Sequence, residues 1–315
     1  MNLGEIKNVG VLGAGLMGHG IAQVFGLKGY RVNLFDNDQR MLKSAPNRIQ
    51  KNLQVFLALD LVEEPDVERC LNNINLCHDM SALCNGLDVI IEAVSETLEV
   101  KKSVFAKMER FTSQQTILCS NTSGISIGKI SERLQFKERI IGTHFWNPPH
   151  VVPCVEVIKS EFTSGEVFNT IVDLMKKIGK EPVRVLKDIP GFLGNRLQHA
   201  LFREALSLVE KGIAAPEDID RVVKYGFGSR LPFIGPFETA DLAGIDLGYE
   251  VQKYLVPDLS IDLTPLNLLK KMVDDGLLGI KAGKGFYEWD DEKIEKLINR
   301  RDSGLLELIK IRNRL

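Results

Sequence analysis

The residues best suited to chemistry are a histidine and a glutamate that stand in two apolar, strand-like segments. His144 lies near the end of the run IIGTHF, and the rigid turn WNPP follows this run. Glu156 comes twelve residues after His144, inside the run CVEVI. A carboxylate buried in a strand is costly without a partner, and an imidazole can be that partner. The pair suits removal of a hydroxyl proton, because the carboxylate fixes the tautomer of the ring and stabilises the imidazolium that forms.

The other polar residues near these segments leave alternatives open. A buried ion pair with a structural role only is the alternative interpretation of His144 and Glu156. Residues 121–123 (NTS) follow the strand-like run TILCS, where they could contact a ligand or simply form a turn that caps the next helix. His19 is predicted to lie on a helix surface, and the role of His150 in the proline turn stays open.

A glycine loop near the start of the chain predicts a dinucleotide site. Residues 9–20 read VGVLGAGLMGHG, with a strand-like run before the loop and a helical pattern after it. Gly13 permits the tight turn, Gly15 lets the backbone approach a pyrophosphate, and Gly18 lets the helix pack close to the strand. A structural glycine turn is the alternative, but the second strand RVNLF with an acid at its end favours the nucleotide.

That acid, Asp36, indicates which dinucleotide is bound. It lies 18 residues after Gly18, where a carboxylate can accept hydrogen bonds from the adenosine ribose and would repel a 2′-phosphate. Arg40 is nearby but four residues further on, so we expect NAD rather than NADP. The pyrophosphate is expected on free N–H groups at the start of the helix, at Leu16 and Met17.

The arrangement of predicted elements is that of a doubly wound, Rossmann-type, mostly parallel sheet followed by an all-helical C-terminal domain. Helical patterns separate most of the strand-like runs, and after about Lys187 strand signals nearly vanish. We therefore predict an NAD-binding domain over residues 1–187 and a helical domain over 188–315. The predicted strands are Asn8–Leu12, Arg31–Phe35, Asn73–Cys77, Asp88–Val94, Thr116–Ser120, Ile140–Phe145, Val155–Ile158 and Val183–Leu186.

Composition excludes several classes of protein. The 315 residues carry a net charge of −2, which gives no field that attracts nucleic acid or an anionic membrane. No apolar run reaches the roughly 20 residues that span a bilayer, and the N-terminus lacks the pattern of a signal peptide. The five cysteines contain no CxxC, and no His, Cys and Asp cluster has the spacing of metal ligands. We expect a cytoplasmic protein with free thiols, no metal and a small-molecule substrate.

Taken together, these segments resemble the L-3-hydroxyacyl-CoA dehydrogenase family over nearly the whole chain. The motifs that carry the resemblance are VGVLGAGLMGHGIAQ, IIEAVSE, SNTSGISI, GTHFWNPP with CVEVI, DIPGFLGNR, GPFETADLAGID and KAGKGFYEW. The resemblance implies an NAD domain followed by a helical domain that mediates homodimer formation. It implies His144 as the catalytic base and Glu156 as its partner.

The same resemblance implies roles for seven further residues. Those near the substrate are Ser123 and Asn147, which would bind the reacting oxygen, and Asn195, which would complete the site. Those near the nicotinamide and its ribose are Glu96, Lys101 and Asn121, with Lys281 as another lysine on the cofactor side.

One segment departs from the family pattern and leaves the substrate open. Where the acyl-CoA enzymes carry a lysine-rich helical hairpin, this chain reads RIQKNLQVFLALDLVEEPD, with Lys51 kept and Asn52 at a serine-like position. The turn WNPPHVVP and the stretch VEKGIAAPEDID resemble a side branch that oxidises sugar acids or pyridine-carboxylate alcohols. The first hypothesis is oxidation of a 3-hydroxyacyl-CoA such as 3-hydroxybutyryl-CoA, as in fatty acid metabolism. The alternatives are a small non-CoA alcohol and a non-catalytic, NAD-binding structural protein.

Overall fold

The computed structural model describes residues 3–312 and 314, and within them eight strands form one sheet in the order β3-β2-β1-β4-β5-β6-β7-β8. The chain divides into two compact units, Met1–Arg196 and Leu197–Leu315, and the sheet belongs to the first. The strands are β1 (Asn8–Leu12), β2 (Arg31–Phe35), β3 (Ile74–Leu76), β4 (Val89–Glu92), β5 (Ile117–Ser120), β6 (Ile140–Phe145), β7 (Cys154–Ile158) and β8 (Glu181–Val185).

Helices connect these strands and are the main secondary structure of the second unit. Those between the strands are α1 (Gly18–Leu27), α2 (Gln39–Ala58), α3 (Glu64–Asn72), α4 (Met80–Cys84), α5 (Leu98–Phe111), α6 (Ile127–Ser131) and α7 (Gly165–Lys177). After β8 come α8 (Gly194–Glu210), α9 (Pro216–Tyr225), α10 (Pro236–Ala243), α11 (Ile245–Leu255), α12 (Asn267–Asp274) and α13 (Asp291–Arg312).

The predicted fold class is confirmed, and the eight predicted strands are present with ends shifted by at most two residues. All neighbouring strands pair in parallel except β6 and β7, which are antiparallel. The largest shift at a strand start is in β8, which begins at Glu181 and includes Pro182. A proline is tolerated there because β8 lies at the edge of the sheet.

The core lies on both faces of the sheet because side chains alternate along each strand. Val11 and Ile91 face one apolar cluster with α1, α2, α3 and α7, while Leu12 and Ile90 face another with α4, α5 and α6. The strands at the centre are buried along their whole length, as expected when helices cover both faces. Because β1 to β6 pair in parallel, these six strands end at the same edge of the sheet, where ligands bind in such folds.

The turn between β6 and β7 is held by a buried lysine. Lys180 is 6% exposed and its Nζ donates to the carbonyl oxygens of Pro149 (2.6 Å) and Val152 (2.9 Å). The backbone N–H groups of Val151 and Val152 both donate to the oxygen of Pro148. Burial lowers the pKa of Lys180 from 10.5 to about 8, because the ammonium loses its hydration inside the protein.

This lysine should make the stability of the protein depend on alkaline pH. Between pH 8 and 10.5 the unfolded state holds a proton on Lys180 that the folded state has lost, so stability rises with pH in that window. We expect the free energy of unfolding of the wild type, relative to Lys180→Met, to grow by up to about 3 kcal/mol across it. Urea unfolding at several pH values measures this, with the 64% exposed Lys176 changed to Met as the control. Parallel curves for wild type and Lys180→Met would contradict the burial effect.

Candidate active site

His144 and Glu156 face each other across the one antiparallel strand pair of the sheet, as far as the described residues extend. The two residues are directly opposite in the β6–β7 register. His144 Nδ1 lies 2.8 Å from Glu156 Oε2, and the two residues are 4% and 2% exposed. A directly opposite cross-strand pair brings the two side chains together without any loop. The rigidity of the sheet therefore fixes the distance between imidazole and carboxylate.

The second oxygen of Glu156 binds the start of α8. Glu156 Oε1 accepts hydrogen bonds from the backbone N–H groups of Leu193 (2.9 Å) and Gly194 (3.0 Å). Burial by itself would raise the pKa of Glu156, but the hydrogen bonds from His144 and from these two N–H groups outweigh it and lower the pKa. Glu156 is therefore a carboxylate at neutral pH, with partners on both oxygens.

The carboxylate decides which nitrogen of His144 can meet a substrate. Because a carboxylate only accepts, the network assigns the ring proton to Nδ1 and leaves the Nε2 lone pair for another group. Trp146 and Phe192 lie beside the ring, with centroids 5.0 and 6.0 Å away. Trp146 also packs on Gly194, where an added Cβ would come within 2.2 Å of the indole. The aromatic side chains and the carboxylate together fix the orientation of the imidazole.

Ser123 lies beyond β5 in a loop that is held at both ends. Its N–H donates to Glu96 Oε1 (2.8 Å), which also accepts from the Thr122 hydroxyl (2.5 Å). Its carbonyl oxygen accepts from Asn195 Nδ2 (2.7 Å). Burial would raise the pKa of Glu96, but the hydrogen bond from Thr122 and the charge of Lys101 lead the effects that lower it. The structure thus brings Ser123, Asn195 and Glu96 together, as one hydrogen-bonded group.

The two other predicted asparagines, Asn121 and Asn147, have different surroundings. Asn121 is 8% exposed, and its Oδ1 accepts from the N–H of Phe145 (2.8 Å), so this side chain links the end of β5 to β6. Asn147 follows Trp146 in the turn after β6, and its side chain is exposed. The substrate and cofactor roles of these two residues stay predictions.

Lys101 is buried and pairs with two carboxylates, those of Glu92 and Glu96. Sequence reasoning missed Glu92. Its Nζ lies 2.7 Å from Glu92 Oε1 and 3.2 Å from Glu96 Oε2, and the lysine is 1% exposed. Glu92, fully buried at the end of β4, also accepts from the Ser120 hydroxyl (2.7 Å) and the Val94 N–H (2.8 Å). The sequence indicates that Glu92 needs a partner, because it is an acid in the apolar run VIIE, just as Glu156 is in CVEVI.

The glycine loop has the shape that a dinucleotide requires. Gly13 has φ +100°, and a Cβ there would lie 2.6 Å from the carbonyl oxygen of Ala93. A Cβ on Gly18 would lie 1.7 Å from the oxygen of Gly13, whereas a Cβ on Gly15 would meet nothing within 4 Å. Met17 is the N-cap residue of α1, and Leu16 is 67% exposed. The open space at Gly15 is where a pyrophosphate can approach the loop.

Asp36 lies at the wall of a cavity of about 470 Å³ that begins at this loop. Its Oδ2 accepts from the N–H of Ala14 (2.7 Å), and its Oδ1 from the N–H of Asp38 (2.8 Å). Arg40 is exposed and pairs with Asp38 on the surface. Lys107 of α5 also lines the cavity, and no pattern in the sequence pointed to it. A cavity with an acid at this position fits the adenosine half of NAD.

Two further residues considered in the sequence, His19 and Lys281, are not among the residues that line this cavity. The prediction that His19 lies on a helix surface was wrong: the residue is 8% exposed, and its Nδ1 lies 2.7 Å from the oxygen of Gly15. The reason is that α1 is buried on all sides between the sheet and α2. Lys281 belongs to the second unit, where it lies exposed in the short turn Ile280–Ala282, and its cofactor role stays a prediction.

Two models of one enzyme family match most of the chain. Residues 8–189 match the model of the 3-hydroxyacyl-CoA dehydrogenase NAD-binding domain, and residues 191–289 match the C-terminal domain of the same enzymes. The chain belongs to the 3-hydroxyacyl-CoA dehydrogenase family. It is accordingly an NAD-dependent dehydrogenase of the type that acts on CH–OH groups.

Several similar proteins are named for activity on acyl-CoA substrates. The human mitochondrial hydroxyacyl-coenzyme A dehydrogenase is 36% identical over 90% of this chain and 91% of its own. The crystal structure of (S)-3-hydroxybutyryl-CoA dehydrogenase from Ralstonia eutropha superimposes with a TM-score of 0.77 at 32% identity, over 91% of this chain and all of the other.

Another similar protein is named for a substrate without CoA. The 5-formyl-3-hydroxy-2-methylpyridine 4-carboxylate 5-dehydrogenase of Mesorhizobium japonicum is 34% identical over 97% of this chain and 98% of its own. The crystal structure of an enzyme of that name, described as an NAD⁺-dependent dismutase, superimposes with a TM-score of 0.91 at 33% identity, over 97% and 98% of the two chains.

Among residues 3–312 and 314, no group of three or more His, Cys, Asp and Glu side chains could hold a metal ion. Of the helices that the structure describes, none is long and apolar enough to cross a bilayer.

The glycine loop yields a test that separates cofactor binding from folding. Gly15→Ala should leave the free energy of unfolding unchanged but weaken NADH binding about tenfold or more, since the methyl group fills the space for the pyrophosphate. Gly18→Ala should instead destabilise the fold by about 2 kcal/mol, because its Cβ would overlap the oxygen of Gly13. Urea unfolding and NADH fluorescence titration measure the two effects. Normal NADH affinity in Gly15→Ala, or equal stability of the two variants, would refute this assignment.

Proposed function

We propose that His144 is the general base for oxidation of a substrate CH–OH group and that Glu156 orients it. The observation that carries this proposal is the buried 2.8 Å contact between His144 Nδ1 and Glu156 Oε2. It directs the Nε2 lone pair of the ring to the substrate hydroxyl. As the C–O bond gains double-bond character, Nε2 takes the hydroxyl proton and Glu156 stabilises the imidazolium. NAD, when bound, supplies the acceptor for the hydride.

The remaining predicted residues position the reacting oxygen. Ser123 and Asn147 are proposed to donate hydrogen bonds to it, so that they stabilise the charge that develops as the proton leaves. Asn195 and Glu96 hold the backbone of Ser123 from its two sides, at 2.7 and 2.8 Å. The Ser123 hydroxyl is therefore presented from a fixed loop, which lowers the entropy cost of reaching the productive geometry.

We propose a small carboxylated alcohol without CoA as the substrate. Residues 54–68, which include the end of α2 and the start of α3, hold five acidic residues and no lysine or arginine. Asp60, Glu63, Glu64 and Glu68 are exposed there, so this surface repels the phosphates of a CoA ester. The comparison with the pyridine-carboxylate dehydrogenase supports a small carboxylated substrate without CoA, because that enzyme is named for a formyl-pyridine carboxylate and the match extends over 97% of this chain.

A 3-hydroxyacyl-CoA such as 3-hydroxybutyryl-CoA is the second candidate. It is favoured by the family models and by relatives of 35–36% identity that carry this activity in their names. Lys51 is exposed on α2 and could meet one phosphate group. A single lysine next to an acidic segment is a weak site for CoA, which carries several phosphate charges.

A cytoplasmic homodimer is the proposed state of the enzyme. All five cysteines are free, which suits a reducing compartment. The second unit, taken by itself, exposes large apolar side chains such as Phe237 (85%), Leu242 (80%) and Tyr249 (66%). Exposed apolar surface of this extent is typical of a region that another chain covers, and a second copy is the simplest partner.

A substrate panel tests the proposed function. NADH formation is followed with L-3-hydroxybutyryl-CoA, with free 3-hydroxybutyrate and with pyridine-carboxylate alcohols, and we expect kcat/KM on a free acid to exceed that on the CoA ester at least tenfold. His144→Gln should lower kcat on the best substrate at least about 10²-fold, the usual contribution of a general base, while the Kd for NADH stays unchanged. The exposed His78, changed to Gln, is the control.

Three outcomes of these assays would contradict parts of the proposed function. Preference for the CoA ester would reject the small-acid proposal and keep the dehydrogenase chemistry. Near-normal kcat in His144→Gln would reject the mechanism. Tight NADH binding without turnover of any alcohol would identify a non-catalytic NAD-binding protein.

A further inference from the structure

Arg48, a residue of α2, contacts carbonyl groups of the glycine loop, whereas Asp36 contacts an N–H group of the same loop. Its NH2 group donates to the carbonyl oxygens of Ala14 (2.5 Å) and Met41 (2.9 Å), and its NH1 group donates to that of Gly15 (3.1 Å). Three carbonyl groups thus surround one half-buried guanidinium. The only carboxylate whose charge acts appreciably on it, among the described residues, is Asp36.

The two loop carbonyls belong to the peptide groups that a pyrophosphate contacts. The carbonyl of Ala14 shares its peptide plane with the N–H of Gly15, and the carbonyl of Gly15 shares its plane with the N–H of Leu16. These N–H groups begin the turn that leads into α1, where anions bind in this fold. A cation on the carbonyl side fixes each plane and polarises its N–H, because hydrogen bonds in series strengthen one another.

The backbone of Ala14 is hydrogen-bonded at both of its peptide groups. Its N–H donates to Asp36 Oδ2 at 2.7 Å, and its carbonyl accepts from Arg48. The residue predicted to recognise the ribose and the residue that reaches the loop carbonyls therefore hold the same backbone segment.

His19 completes the contact with Gly15. Its Nδ1 lies 2.7 Å from the oxygen of Gly15 and 3.0 Å from Arg48 NH1. Burial lowers the pKa of His19, the hydrogen bond to Gly15 opposes this, and the charge of Arg48 lowers the pKa further. The lowered pKa favours the neutral ring, so of these two side chains beside the Gly15 carbonyl only Arg48 carries a positive charge at neutral pH.

We propose that Arg48 is a positioning residue for the pyrophosphate of NAD. It orients and polarises the N–H groups of Gly15 and Leu16 through their carbonyls, and its charge favours the pyrophosphate dianion at that loop. It contributes to the affinity for ligands that contain a pyrophosphate and not to recognition of adenosine. The proposal concerns cofactor binding and holds for any substrate.

Ligand fragments test this proposal without catalysis. Isothermal titration measures the affinity of the full chain for NADH, ADP-ribose and adenosine. Arg48→Gln should weaken NADH and ADP-ribose about 10- to 100-fold, the range expected for lost hydrogen bonds from a charged donor, and adenosine less than about twofold. Arg40→Gln removes the same charge from the same helix but leaves the loop contacts intact, because Arg40 pairs with Asp38 at the surface. It should bind all three ligands as the wild type does.

The conservative variant Arg48→Lys distinguishes a loss of ligand binding from a loss of folding. Arg48→Lys keeps the charge but can present only one nitrogen to the loop, so it should lose about three- to tenfold for ADP-ribose and nothing for adenosine. In turnover assays the loss should fall on KM for NAD rather than on kcat. Equal losses for ADP-ribose and adenosine in either variant, or an Arg48→Gln protein that binds NADH as Arg40→Gln does, would overturn the proposal.

Discussion

The hydrogen bond between His144 and Glu156 is the contact on which the site depends. It joins two strands at opposite positions of an antiparallel pair, and the same carboxylate accepts two N–H groups at the start of α8. Glu156 therefore fixes the imidazole, the turn at Leu193 and Gly194, and through α8 the position of Asn195. A buried carboxylate with three partners costs little, whereas one with none would be strongly destabilising.

Glu92 is a second buried acid that, like Glu156, holds together residues of the proposed site. Glu92 is the last residue of β4, and Glu156 lies within β7. Lys101 neutralises the charge of Glu92 and also pairs with Glu96. Glu96 holds the N–H of Ser123, so a continuous chain of charged hydrogen bonds runs from the centre of the sheet to the proposed oxygen-binding loop. The proposed site is thus supported by two buried acids on strands, Glu92 and Glu156, which bind residues of neighbouring helices and strands.

The parts of this site that sequence predicts are those with a local signature. The glycine loop has fixed spacing, Asp36 follows the second strand at the expected distance, and an acid within an apolar run needs a partner. Arg48 could not be found in this way, because its contacts join residues 33 and 34 positions apart and depend on the rotation of α2 over the loop. His19 was misplaced for a related reason: the prediction treated α1 as a surface helix, while α2 covers it.

In this account the choice of substrate depends on surface charge more than on the proposed catalytic centre. The proposed base and its carboxylate partner suit oxidation of a CH–OH group in general, whereas the acidic segment at the end of α2 is proposed to disfavour substrates with phosphate groups. The most direct test of the central claim is the ¹⁵N spectrum of the histidine side chains, with the His144 signals assigned by their loss in His144→Gln. We predict that the neutral ring carries its proton on Nδ1 and that this signal shifts in Glu156→Gln. A ring protonated on Nε2 would direct no lone pair to the substrate and would contradict the account.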